Sequence, residues 1–232
     1  MGTSKGYIAP TRPEWSKAKR AVSAYLRDRD AESRANAVSK YAEAMRTGGS
    51  TVVGGGSSFS SAAGNMLSFA ISVAGNGLNQ TLRQFGRDDL IGKPSDTIIN
   101  EMLNHFTNNG STAEDSLALA ALSSAFGALN VETPDDLGNM DLDAFLIEII
   151  IAFVNYDFDF HFYEKIGKGR TPEETFNILE DVHGYIDGTL RSKLTPADIS
   201  SIDLAKMDAD KIVSDMLYDA FSTCMTFYGV EE

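Results

Sequence analysis

Along most of this chain the apolar positions recur every three or four residues, the spacing of one face of a helix. Between Pro13 and Met45 the stripe runs Trp15, Ala18, Val22, Tyr25 and Leu26, then Ala35, Val38, Tyr41, Ala42 and Met45, with basic residues between them. Asp30 is placed to restart the helix after a break, and Pro13 suits a first turn, where a missing N–H costs nothing. Phe59 to Gly86 reads as a helix rich in small residues, which let backbones approach closely, with a break expected near Gly75–Gly77. Ile98, Ile99, Met102, Leu103 and Phe106 mark the next helix. Asn108, Asn109 and Gly110 end it, because Asn and Gly tolerate the left-handed conformation of a C-cap. Ser111 with Glu114, and Thr171 with Glu174 behind Pro172, read as capping boxes. The helix opened by Thr171 is expected to reach Arg191 or Lys193, weakened at Gly184 and Gly188. A last helix is expected from near Asp208 to Gly229, carrying Ile212, Val213, Met216, Leu217, Ala220 and Phe221.

One stretch departs from this period. In NYDFDFHFYEKI, residues 155–166, Tyr156, Phe158, Phe160 and Phe162 alternate with Asp157, Asp159 and His161, as a strand would. It follows directly on the helix-like run 144–154, and no second strong strand exists to pair with it. A lone strand leaves its own backbone groups unpaired. The stretch is therefore read as helix and the chain as all-α, a single multi-helix globular domain with a short extended N-terminal tail. The expected organisation is a tail over 1–12, a basic helical region over 13–46, a Gly/Ser-rich linker or loop over 47–58 and an acidic helical body over 59–232.

The linker TGGSTVVGGGSS is no phosphate loop, since no Gly-Lys-Ser/Thr follows it. GRDDLIGKPS at 86–95 has the wrong spacing and carries Pro94 where a magnesium-binding hydroxyl would stand. Nucleotide hydrolysis is rejected on that ground.

At 232 residues the chain can bury roughly 70–75% of its unfolded surface and needs no disulfide or metal to hold a core. Its single cysteine, Cys224, lies among apolar residues in FSTCMTFYG, fits a reducing cytoplasm and reads as a buried small hydrophobe. No signal peptide is expected, and AFLIEIIIAFV at 144–154, interrupted by Glu148, is too short to cross a bilayer. A cytoplasmic protein with no membrane partner is the expectation. Position 6 is Gly6, not the Ser or Thr of a myristoylation signal. The net charge of −13 argues against direct nucleic-acid binding. It is unevenly spread: residues 1–46 carry ten Lys/Arg against five Asp/Glu, and the remainder ten against 28. A basic segment on an acidic body can dock on that body, on an acidic partner or on phosphate, or can simply be a solvated helix face.

Candidate chemistry is sparse. Of the three histidines, His105 sits where a helix C-terminus favours an imidazolium, and His183 follows Asp181 in an acidic helix as a surface or interface residue. Asp157, Asp159 and His161 are the one set that could offer metal ligands, as in a metal-dependent hydrolase. On a helix, Asp157 and His161 would sit one turn apart, and nothing nearby completes a site. No G-x-S-x-G elbow occurs. No catalytic residue, metal or cofactor is assigned, and the chain is read as not an enzyme.

The remaining candidate is the first stretch, MGTSKGYIAP. Removal of Met1 exposes Gly2, an unhindered amine ahead of Thr3, Ser4 and Lys5. MGTSKGY with Pro10 and Trp15, the Gly/Ser/Ala-rich middle, GRDDLIGKPSDTIINEML and GSTAEDSLALAAL together resemble the QatB family, over positions 1–16 and 57–126. QatB belongs to the four-gene Qat anti-phage defence systems of bacteria. The resemblance implies partners: a QueC-like enzyme, an ATPase and a TatD-like DNase. Enzymes similar to QueC activate the carboxylate of a 7-deazaguanine acid with ATP and pass the acyl group to an amine. The resemblance makes Gly2 the acceptor, with Thr3, Ser4, Lys5 and Gly6 recognised in extended form by the partner. An adaptor that bridges the ATPase and the nuclease without being modified is the alternative. The chemistry favours a terminal amine: with a pKa near 7.7–8.0 it is about a tenth unprotonated at neutral pH, roughly two hundred times the fraction of a lysine.

Overall fold

The computed structural model describes residues 12–47, 58–194 and 208–226, and within them every regular element is helical. The Gly/Ser-rich stretch 48–57 lies outside the described residues. Helices α1 (Pro13–Asp28) and α2 (Ala31–Thr47) fold back on one another. The break falls at Arg29, which adopts the left-handed conformation (φ 55°) and donates its N–H to the Tyr25 carbonyl, and Asp30 Oδ1 accepts from the Ser33 N–H.

Helix α3 (Ser58–Asn76) is followed by α4 (Leu78–Gln84) after Gly77, whose φ of 76° a side chain would resist. Then come α5 (Ser95–Phe106), α6 (Ala113–Ala128), α7 (Pro134–Asn139), α8 (Leu142–Gly167), α9 (Pro172–Arg191) and α10 (Ala209–Thr226). The five apolar positions expected on α5 are all buried. Asn108, Asn109 and Gly110 all take positive φ, and this turn moves the next cap by one residue from the expected Ser111. Ser111 is helical in conformation, while Thr112 is extended (φ −116°, ψ 170°) and caps α6. The box therefore joins Thr112 to Asp115, and Glu114 instead accepts the Phe59 N–H at 3.3 Å. Thr171 and Glu174 form the box expected at α9, and Thr133 with Asp136 forms another at α7.

The ambiguous stretch 155–166 is helix, continuous with 144–154 in α8. Leu142–Gly167 is apolar on nearly all sides because other helices cover it: α6 along its first half, α9 beside it, and α1 and α10 also in contact. Phe145, Ile149, Ile150, Phe153, Val154, Phe158 and Phe162 are fully or almost fully buried. Helix α10 lies between α2 and α3, α3 carries α6 and α7, and α9 reaches back to α2 and α10. Cys224 is buried in this core, which pushes its thiol pKa up to about 12. Among the described residues no helix is long and apolar enough to cross a membrane.

The small residues of α3 serve the contact with α10. A Cβ on Gly64 would stand 2.2 Å from Asp210 Oδ1, 2.6 Å from the Asp210 backbone N and 2.9 Å from the Ala209 carbonyl carbon. The glycines of α9 are the reverse case: the helix runs unbroken through Gly184 and Gly188, and a Cβ there meets nothing within 4 Å. The same substitution should thus act with opposite sign. Gly64→Ala is expected to lower stability in urea unfolding by about 1–3 kcal/mol, since backbone must move. Gly184→Ala is expected to raise it by roughly 0.5–1 kcal/mol.

Candidate functional site

Gly2, Thr3, Ser4, Lys5 and Gly6 lie outside the described residues, so the site is built from the point where the described chain starts. Arg12 is exposed and extended (φ −63°, ψ 153°), Pro13 opens α1, and Glu14 sits favourably in its first turn. Trp15 follows at 1% exposure. Its ring lies 4.2 Å from that of His161 and 6.3 Å from that of Phe162 on α8. A bulky aromatic in the first turn thereby pins the beginning of α1 to the second half of α8, and leaves Arg12 at the surface.

Behind this contact is a buried polar cluster. The Tyr41 hydroxyl on α2 donates to Asp157 Oδ2 at 2.6 Å and lies 3.3 Å from the Val154 carbonyl. His161 Nε2 stands 3.6 Å from the same carboxylate oxygen. Asp157 is fully buried, and its Oδ1 has no hydrogen-bond partner among the described residues. Burial therefore raises its pKa from 3.8 to about 7, against the opposing pull of the Tyr41 hydrogen bond. Burial pushes His161 the other way, from 6.5 to about 4. Near neutrality the pair is a carboxyl poised to hold its proton beside a neutral imidazole.

This geometry divides the set Asp157, Asp159 and His161. Asp157 and His161 sit one turn apart as helix geometry requires, but Asp159 engages His183 Nε2 of α9 at 2.8 Å. Among the described residues no group of three or more His, Cys, Asp or Glu side chains is arranged to hold a metal ion. His183 is thus an interhelical contact, and His105 lies in the last turn of α5, its ring tilted against that of Phe106 with centroids 5.5 Å apart. The described residues also line open concavities, among them the following. A polar cleft of about 510 Å³ between the start of α3 and the end of α5 is lined by Ser58, Ser61, Asn65, His105 and Asn108. A shallower groove of about 400 Å³ runs between α2 and α9 over Gly184 and Gly188. Its cation, Arg34, is taken up by Asp181, which also accepts from the Tyr25 hydroxyl.

The basic segment is largely engaged close to home. Lys17 and Lys40 both reach Glu43, Arg27 pairs with its neighbour Asp28, and Arg34 crosses to Asp181 on the acidic body. Arg46 lies over the ring of Tyr218, 4.2 Å from its centroid. The sequence reading placed Trp15 and Tyr41 on the apolar stripe but missed their polar and aromatic partners. Those partners lie more than a hundred residues away, and no local pattern encodes them.

A family model described as Qat anti-phage system associated protein QatB matches residues 48–224. No curated protein and no solved structure matches the chain.

The buried carboxyl gives the protein a defined response to pH. Because the folded-state pKa of Asp157 is raised, its favourable contribution is complete below about pH 4 and is lost as pH rises through about 7. The lowered pKa of His161 contributes in the opposite sense, with stability present above about 6.5 and lost as pH falls through about 4. Asp157→Asn removes only the first dependence and keeps an acceptor for Tyr41. Thermal melts should show the variant gaining on the parent protein from pH 4.5 to pH 8, by up to a few kcal/mol. A difference that stays flat across this range would contradict the assignment.

Proposed function

The chain belongs to the QatB family of Qat anti-phage system associated proteins, and we propose that within such a system it is a non-enzymatic acceptor that presents its Gly2 amine to a QueC-like enzyme. The observation that carries the reading is the anchored start of α1. Trp15 holds the first turn against α8 while Arg12 stays at the surface. The ten residues from Gly2 to Thr11 can therefore reach up to about 35 Å from a fixed point when extended. Gly2 has no side chain to hinder entry into a deep active site. Its amine, partly deprotonated at neutral pH, attacks the activated acyl carbon of a 7-deazaguanine-type acid. An amide bond forms, the activating group leaves, and the amine proton passes to solvent. Thr3, Ser4, Lys5 and Gly6 would be read in extended form by the partner.

A second reading, an adaptor that bridges the ATPase and TatD-like nuclease without being modified, draws on the same family membership and on the polar cleft and the α2–α9 groove. A metal-dependent hydrolase draws less support, since Asp159 is committed to His183. Intact-mass measurement after co-expression with the QueC-like enzyme separates the first two. One deazapurine acyl group should be added to the parent chain and none to Gly2→Pro. Unchanged mass in cells with active defence, with binding to the partners retained after deletion of residues 2–10, would favour the adaptor.

A further inference from the structure

Helices α8 and α9 pack as an antiparallel pair, and two ion pairs fix their register. Glu148 meets Arg191 at 2.7 and 2.8 Å, and Asp159 meets His183 at 2.8 Å. On α8, Glu148, Asp159 and Tyr163 are spaced i, i+11, i+15 and share one stripe of the helix. On α9, Phe176, His183 and Arg191 are spaced i, i+7, i+15 and share another. The ion pairs lay these stripes side by side along one edge of the helix pair. Tyr163 lies fifteen residues on from Glu148 and Phe176 fifteen back from Arg191. Both aromatics therefore stand at the same level, about 22 Å along the edge.

The edge faces away from the core, which α9 meets through Ile178, Val182 and Ile186. Tyr163 is 56% and Phe176 60% exposed, two of the three large apolar side chains so exposed among the described residues. The third, Tyr218, is covered on one face by Arg46. A single surface aromatic needs no explanation, but two at one level of one edge make an apolar patch of the kind that binds other proteins.

Charge narrows the partner. The stretch between the aromatics and Arg191 carries Glu148, Asp159, Glu180 and Asp187 against one guanidinium and one imidazole, and so is net negative. Lys168 and Arg170 stand beyond the aromatic end, in the turn between the helices. An acidic edge repels nucleic-acid phosphate and anionic lipid and favours a cationic segment. A second copy of this chain is a poor source of one, because Lys17, Arg27, Arg34 and Lys40 are engaged by carboxylates of their own chain.

We propose that the open α8–α9 edge docks a basic segment of another component of the Qat system, with an apolar side chain of that segment seated on Tyr163 and Phe176. The contact goes beyond the acceptor reading; it rests on the family membership and not on modification of Gly2.

Surface plasmon resonance with the full chain immobilised and each other purified Qat component passed over it tests the docking. One component should bind, and Tyr163→Ser and Phe176→Ser should each weaken it about tenfold. Tyr218→Ser, on another helix, should leave the affinity unchanged. Glu180→Lys should weaken binding too, and raising salt from about 50 to about 300 mM should weaken the parent complex severalfold. Both aromatics are exposed, so these variants should fold, as thermal melts check. Binding by no component would overturn the proposal, and so would binding that both aromatic variants leave intact. Self-association seen by sedimentation and abolished by the same variants would assign the edge to a second copy and overturn it equally. None of these readouts involves acylation, so failure here is distinct from failure of the acceptor role.

Discussion

The bundle depends on how the ring and hydroxyl of Tyr41 are accommodated at its centre. Phe158 and Phe162 of α8 and Phe221 of α10 meet the ring edge-on, with centroids 5.3, 6.1 and 5.8 Å away. One side chain of α2 is thus in contact with both other helices, and aromatic pairs of this kind add about 0.5–1.5 kcal/mol each beyond area burial. The hydroxyl imposes the constraint. A buried Tyr must donate, and the acceptor here is the fully buried carboxyl group of Asp157. The fold meets the desolvation of that acid by favouring its protonated form, with a neutral imidazole alongside.

The same region sets the geometry of the chain's beginning. Trp15 and Tyr41 approach α8 at His161 and Asp157, so the start of α1 and the middle of α2 are registered against one pair of adjacent turns. Burying a Trp is worth several kcal/mol, far more than the surface ion pairs of the basic segment, whose typical contribution lies between about 0 and 1 kcal/mol. Packing rather than charge therefore fixes where the N-terminal stretch leaves the body.

Surface electrostatics act further out. Arg191 makes a two-pronged contact with Glu148, at 2.7 and 2.8 Å, and a further one with Asp187, which ties the end of α9 to the beginning of α8. The boxes at Thr112, Thr133 and Thr171 satisfy the first amides of three helices. These features sharpen ends and registers. They do not choose which helices become neighbours.

Helix identity was legible because periodicity and caps are local. The stripes of α1, α2 and α5, the break at Asp30, the left-handed turn at Asn108–Gly110 and the Thr171 box each rest on residues within a turn or two of one another. The all-α class followed, and with it the helical state of 155–166, since a single strand has no partner for its backbone. The opening residues and the central block also carried the family resemblance. The one-residue error at Ser111 shows the limit: cap choice depends on how three successive left-handed residues spend the chain, which composition does not encode. Only the tertiary structure decided that Tyr41 would find Asp157, that Asp159 would turn to His183, and that Trp15 would rest on His161. Those pairings join residues that are far apart in the chain, and they are selected by which apolar faces bury one another.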